Sequence, residues 1–254
     1  MHFRHYSSVV CLAITIANIG CAGYPDETPM ATGQEKSTVQ QPKEEPKAAG
    51  DIKRVELGKQ KKIILETQGE TRRVLIKAEV CLREGLLEQL LTRKMTKEHE
   101  AILAADIDAR DLHLALTLAK AESGRPVQFR PKLVAPSGTP IKISLEYEKD
   151  GKTVRVDARE WIRNMKTKKD FPTDWVFAGS IFIPDPLDKT KLPFYGANDG
   201  DVIAIVNFES ACIDVPFLNT KDNDDLIYHA HTERIPALKT PVTVILEPVL
   251  AKKK

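Results

Sequence analysis

The most constraining feature of this chain is a period of two in its apolar residues. Val74, Ile76, Ala78, Val80 and Leu82 fall on every second position, with Lys77, Glu79 and Cys81 among the residues between them, so an extended backbone puts the apolar set on one face. Ile63 and Leu65 precede them across Gln68-Gly69-Glu70, which predicts a hairpin with one buried face. The pattern returns at Ile141, Ile143, Leu145 and Tyr147. There Asp150-Gly151 supplies the positive φ angles of a tight turn, and Val154 and Val156 continue beyond it, predicting a second hairpin. Further strands are expected at 127–133, 175–183, 202–208 and 242–246, and 86–91 is read as a strand paired back on 74–82, with a helical turn as the alternative. One helix is signalled at about 108–122, capped by Asp108, with Leu112, Ala115, Leu116 and Ala119 on one face and Gly124 and Pro126 beyond its end. A short second helix is expected at about 157–165, opened by Asp157 with Glu160 three residues on. Because the two hairpins impose antiparallel pairing, the expected fold class is α+β, a single domain over 52–250 built mainly on an antiparallel β-sheet.

Ahead of this domain the chain changes character. Residues 1–8 carry one fixed positive charge at Arg4, and Val9 to Ala17 carry none. Such a run falls well short of the roughly 20 residues that span a bilayer and suits the centre of an export signal, so 1–20 is read as a signal peptide. It ends in Asn18-Ile19-Gly20-Cys21, where a small residue before cysteine resembles the bacterial lipobox. That resemblance implies acylation of Cys21 and a membrane partner reached through the lipid. Asn18 stands where the lipobox usually carries leucine, and ordinary secretion with cleavage after Gly20 or Ala22 is the alternative. Residues 21–51 are mostly Pro, Glu, Lys, Gln, Thr and small residues, which cannot bury enough apolar surface to offset their ordering entropy. They read as a disordered tether, and 251–254 as a basic tail.

Net charge narrows the partners. With 38 basic against 36 acidic residues the chain carries +2, which leaves little of the counterion release that drives nucleic-acid coating; nucleic acid is not an expected partner. Cleavage and acylation leave Cys81 and Cys212 in the folded part. An exported pair can form a disulfide, yet both sit in alternating apolar runs, where cysteine behaves as a small hydrophobe, and two buried thiols are favoured. No CxxC spacing exists to build a zinc or iron–sulfur site.

Two constellations can carry chemistry. Thr96-Lys97-Glu98-His99-Glu100 sets a histidine between two glutamates, the pattern of a general base or of a carboxylate–imidazole metal site; Glu98, His99 and Glu100 form the candidate polar site, and a capping turn before Ile102 is the competing reading. His229 and His231 share one face of an extended segment and are weak metal candidates, since catalytic zinc normally takes three protein ligands. Asn198-Asp199-Gly200-Asp201 and Asp222-Asn223-Asp224-Asp225 contain calcium-loop fragments without the closing glutamate and are read as turns. His113 is read as a packed or rim histidine. Ser180 lacks the GxSxG setting of a nucleophile elbow.

Five strings in order carry a family resemblance: Val80-Cys81-Leu82-Arg83-Glu84-Gly85, Thr96-Lys97-Glu98-His99-Glu100, Asp174-Trp175-Val176-Phe177-Ala178-Gly179-Ser180, Val206-Asn207-Phe208 and Thr232-Glu233-Arg234-Ile235-Pro236. Together they resemble the YdjY-domain proteins, notably the lipoprotein-like members common in planctomycete bacteria, over nearly all of 55–250. The resemblance implies an envelope-associated domain of unassigned activity. Some relatives are described as ferredoxin-like, a label that needs a cysteine cluster this chain lacks. The expectation is an exported, lipid-anchored envelope protein on the periplasmic side or cell surface. Its domain is expected to be non-enzymatic and to bind a protein, peptide or small molecule, with no catalytic residue and no cofactor assigned. Two alternatives stay open: a metal-dependent enzyme or metal carrier using His99, His229 and His231, and an accessory protein in envelope redox or electron transfer.

Overall fold

The computed structural model describes residues 50–219 and 227–250. The expected signal peptide, Cys21, the expected tether up to residue 49, the run from Asp222 to Asp225 and the tail at 251–254 lie outside the described residues.

The period of two becomes strand where the pattern is longest. Ile63–Gln68 pairs antiparallel with Thr71–Val80, and Pro140–Lys149 with Lys152–Asp157, the latter around a turn in which Asp150 has φ 51° and Gly151 φ 71°. Pro241–Pro248 lies between Thr71–Val80 and Pro140–Lys149, antiparallel to both. This register sets Ile76, Val244 and Leu145 in one row and Val74, Leu246 and Ile143 in the next. All six are buried. Full burial of a side chain of this size stabilises by about 1.5–3 kcal/mol, so these rows are the core of one wall. Ile52–Leu57 extends the sheet beyond Ile63–Gln68.

The sheet does not stay open. From Pro140–Lys149 the pairing runs through Trp175–Phe177, Ile213–Asp214, Ile203–Ala204, Gln89–Arg93 and Ala101–Ala105, and the last of these pairs back on Thr71–Val80. The result is a closed eight-stranded barrel with one helix, 42% strand and 11% helical. This corrects the expected α+β antiparallel sheet. Two junctions of the ring are parallel, Gln89–Arg93 with Ala101–Ala105 and Ile203–Ala204 with Ile213–Asp214. The reason is physical: alternation reports which face of a strand is buried and says nothing of its neighbours. The closing strands are short and buried on both faces, so they show no alternation at all.

Several local expectations shift with it. The strand expected at 86–91 is Gln89–Arg93, and it pairs with Ala101–Ala105 and Ile203–Ala204 rather than with 74–82. The run at 175–183 breaks at Gly179 and Ser180, both at positive φ, so Phe182–Ile183 leaves the barrel and pairs with Phe194–Tyr195. Only Ile203–Ala204 of 202–208 is strand, and 127–133 keeps one isolated bridge, Gln128 to Val134. The helix spans Ala109–Leu118, with the Asp108 carboxylate accepting from Arg110 N at 2.9 Å, and packs on Ile63–Gln68. The second helix is a single 3-10 turn, Ala158–Trp161, because Ile162–Asn164 is drawn into a ladder with Tyr228–Ala230.

Candidate functional site

Parallel neighbours ordinarily need a crossover of a dozen or more residues. Here both parallel pairs are joined by shorter segments, 94–100 and 205–212, and polar side chains tie the two segments together. Lys97, on the first crossover, places Nζ 2.8 Å from Asp201 Oδ1, which also accepts from Gln89 Nε2 at 2.7 Å. Ser210, on the second, donates from Oγ to Asp201 Oδ2 at 2.5 Å. Asp201 is only 3% exposed; a carboxylate so enclosed is tolerable because a cation and two further donors satisfy it. Lys97 Nζ also sits 4.5 Å from the centre of the Phe208 ring, a cation–π contact. One lysine therefore holds the two crossovers in register.

A second buried acid lies beside the first. Asp214 is fully buried; its Oδ1 accepts from Asn207 Nδ2 at 3.0 Å and from Val215 N at 2.7 Å, while the Phe208 backbone N–H also faces the carboxyl. Burial raises its carboxyl to about 7, and the Asp201 charge adds to the rise. Asn207 is held in turn by Asn219, whose backbone N–H donates to its Oδ1 at 2.7 Å.

The outer side of the second crossover opens on a groove of about 610 Å³. Val206, Asn207, Phe208 and Ser210 form its floor, Ile181, Ile183 and Phe129 its apolar wall, and Asp199 and Glu209 an acidic rim. Ser180, at φ 58°, is held at one end, donating from Oγ to Ser210 O at 2.6 Å and accepting from Ala197 N at 2.9 Å. Behind it, Tyr195 donates its hydroxyl to Gly179 O at 3.0 Å and lies 2.9 Å from His113 Nδ1, with Cys212 in hydrogen-bond reach. Burial lowers the His113 pKa and pushes the Cys212 thiol up to about 12. Both serine hydroxyls donate to internal acceptors, Ser180 to the Ser210 carbonyl and Ser210 to the Asp201 carboxylate. A second depression, about 600 Å³, lies on the outer wall among Lys77, Glu79, Lys94 and Glu146; its charges pair with neighbours, as in Lys94 to Glu79 at 2.9 Å.

A profile of the YdjY domain matches residues 65–247, a span that holds both crossovers and the groove. The chain belongs to the YdjY-domain family. No curated protein and no solved structure matches it.

The YdjY barrel treats the residues singled out from sequence unequally. Glu98, His99 and Glu100 form a 3-10 turn on the first crossover. Glu98 Oε1 accepts from Met95 N at 3.1 Å, and the His99 side chain is 77% exposed with Nε2 3.8 Å from Glu100. The functional neighbour in that string is Lys97, which sequence reasoning quoted but gave no role. His229 stands on Tyr228–Ala230 opposite Arg163, with a buried Nε2 that has no partner. Burial and the charges of Lys168, Arg163 and His231 lower its pKa, and two cations at its side oppose a metal ion there. His231 lies 3.5 Å from Glu233 and 3.9 Å from Asp170. The segment 86–88 runs between the His99 turn and the His229 strand, bridged to His229 through Leu86 and bonded through Glu88 N to Glu100 O. Among the described residues no three His, Cys, Asp or Glu side chains gather as a metal site. Cys81 and Cys212 are free thiols, with Cys81 Sγ 3.1 Å from Ala101 O and raised to about 12 by burial. Asn198 to Asp201 form a turn, in which Asn198 Oδ1 accepts from Ala109 N at 2.8 Å.

Sequence reasoning missed the core of this site: Gln89, Asp201, Asp214, Asn207 and Ser210. One signal was available. Asp201 and Asp214 are charged residues inside or beside apolar runs, and charge placed there needs a buried partner.

Proposed function

We propose that this YdjY-family chain is exported, held at a membrane by a lipid on Cys21, and acts as a non-enzymatic binding module that receives an extended peptide segment in the groove beside the second crossover. The observation that carries the peptide reading is the hairpin edge along the groove. Phe182–Ile183 pairs only with Phe194–Tyr195 among the described strands, and the alternate residues Ile181 and Ile183 both line the groove. That is the geometry of strand addition, in which main-chain bonds give affinity and pockets for alternate side chains give specificity. Asp199 and Glu209 on the rim favour a basic residue in the bound segment.

The test has two readouts on the full chain. Radioactive palmitate labels the wild type in a bacterial host and leaves Cys21→Ala unlabelled; equal labelling removes the anchor. A fluorescein-labelled peptide of sequence Val-Lys-Val-Thr-Val binds, by anisotropy, about tenfold tighter than its Lys→Glu counterpart, a difference of roughly 1.4 kcal/mol. Asp199→Asn with Glu209→Gln narrows that gap. Equal binding of the two peptides, or binding unchanged by Ile183→Asp, overturns the groove as the peptide seat.

A further inference from the structure

The loop that closes the groove hairpin exposes more apolar surface than its length accounts for. Between Ile183 and Phe194 the chain reads Pro-Asp-Pro-Leu-Asp-Lys-Thr-Lys-Leu-Pro, and its leucines stand almost wholly in solvent, Leu187 at 95% and Leu192 at 82%. Single exposed leucines are ordinary, but this pair shares one tip and is flanked by Phe182 and Phe194, also exposed. The tip is held open rather than collapsed. Asp185 Oδ1 accepts from Leu187 N at 2.9 Å and Asp188 N at 3.1 Å, and Asp188 Oδ1 accepts from Thr190 N at 3.0 Å. Three prolines stiffen the stems, so docking this arm costs little ordering entropy. At its root the Arg110 guanidinium donates to Pro193 O, and Leu114 and Leu118, both exposed, continue from Arg110 along the same helix stripe.

We propose that the 184–193 arm is a bilayer-contacting element, dipping Leu187 and Leu192 into the headgroup boundary and seating the barrel on the lipid surface. Charge fits that occupant: Asp185 and Asp188 are matched by Lys189 and Lys191, the carboxylates are turned to backbone N–H groups and to Lys191 Nζ at 3.2 Å, and the arm carries no net charge to be desolvated. Lysine stems beside the leucines can lie along the apolar boundary while their ammonium groups reach water. Cys21 lies 29 residues before residue 50, so a lipid on Cys21 would hold the barrel within about 100 Å of the bilayer, the fully extended reach of that many residues. At that effective concentration a weak two-leucine insertion is enough. In this last respect the inference rests on the anchor proposed above.

The experiment uses the full chain with Cys21→Ala, so that no acyl chain contributes. Trp161 and Trp175 are at most 1% exposed, so Leu187→Trp adds one solvent-facing fluorophore to a buried background. With vesicles of three parts phosphatidylcholine to one part phosphatidylglycerol, the added tryptophan shifts to the blue, and brominated phosphatidylcholine quenches it at least twofold. Leu192→Ser in the same background weakens partitioning about tenfold, as the loss of one buried leucine predicts, without moving the thermal midpoint. Emission unchanged by vesicles at millimolar lipid, or partitioning indifferent to Leu192→Ser, overturns the arm. Palmitate labelling reads the anchor separately: labelled wild type with an unquenched arm leaves the anchor standing and removes the arm, and a quenched arm without labelling does the reverse.

Discussion

The wall built from Thr71–Val80, Pro241–Pro248 and Pro140–Lys149 and the seam built from Gln89–Arg93, Ala101–Ala105, Ile203–Ala204 and Ile213–Asp214 belong to one ring and are held by different means. In the wall, long antiparallel ladders fix the register, and the buried rows are aliphatic, with charges such as Glu146 and Lys77 facing out. In the seam, ladders as short as the single Ile203–Ile213 pair carry the closure, and buried polar groups do what ladder length does elsewhere: Gln89, Thr92, Asp201, Asn207 and Asp214 are all at most 3% exposed. The fold depends on ladder length in the wall and on side-chain chemistry in the seam. A slip by one residue in the wall would turn a whole apolar row to water. A slip in the seam would break the bonds of Asp201 and Asp214.

The largest break in that comparison comes from Asp201→Ala. It leaves the Gln89 amide and the Ser210 hydroxyl without their acceptor and the Lys97 ammonium, 26% exposed, with Glu100 at 3.9 Å as its remaining ionic partner, so the loss falls at the lower end of the cost of breaking a buried pair, about 3 kcal/mol. At this chain size that lowers the thermal midpoint by on the order of 10 °C. Adding Lys97→Met to Asp201→Leu removes both charges and restores a large part of the loss in chemical denaturation. A double variant as unstable as Asp201→Ala would mean that the pair's charge is not what holds the crossovers.

Asp214 provides a sharper, pH-dependent contrast. Its folded pKa is raised from 3.8 to about 7, so the folded state binds more protons than the unfolded state between those values. The Asp214 contribution to stability is therefore greatest below about pH 4, falls as pH rises through the window, and carries the full penalty above about 7. A shift of that size corresponds to at most about 4 kcal/mol. Asp214→Asn keeps an oxygen for Asn207 and Val215 and carries no charge, so it flattens the pH profile of urea midpoints and exceeds the wild type at pH 8. A profile as steep as wild type would assign the slope to another group.

What could be read from the chain divides along the same line. Val74, Ile76, Val80, Ile143 and Leu145 declare the wall because alternation is a local property, and Asp150-Gly151 declares its turn because positive φ is one too. Closure is not local: nothing around Leu91 indicates that it pairs with both Leu103 and Ile203. The site fared likewise. The string from Thr96 to Glu100 is dense in ionisable groups, and its pattern puts the weight on His99, whose side chain is 77% exposed, whereas the residue with a buried partner is Lys97, 104 positions from Asp201. An ion pair across that separation leaves no spacing to recognise, and Ser210 and Asn207 acquire meaning only once Asp201 and Asp214 are seen to be buried.

The smallest expected effect completes the contrast, because it places the same chemistry in the other region. Arg155 and Glu146 form an ion pair on the wall at 2.7 Å, as close as Lys97 and Asp201 in the seam. Distance alone would rank them equal. The wall pair keeps 49% and 32% of its side-chain surface in water, where such pairs contribute about 0–1 kcal/mol and are screened by salt. Glu146→Gln should therefore change the unfolding free energy from urea titration by less than about 0.5 kcal/mol at 0.15 M salt and by nothing measurable at 1 M, whereas Asp201→Ala stays costly at both. If the two variants proved equally destabilising, burial would not be what separates the regions, and the seam would hold its register by backbone pairing alone.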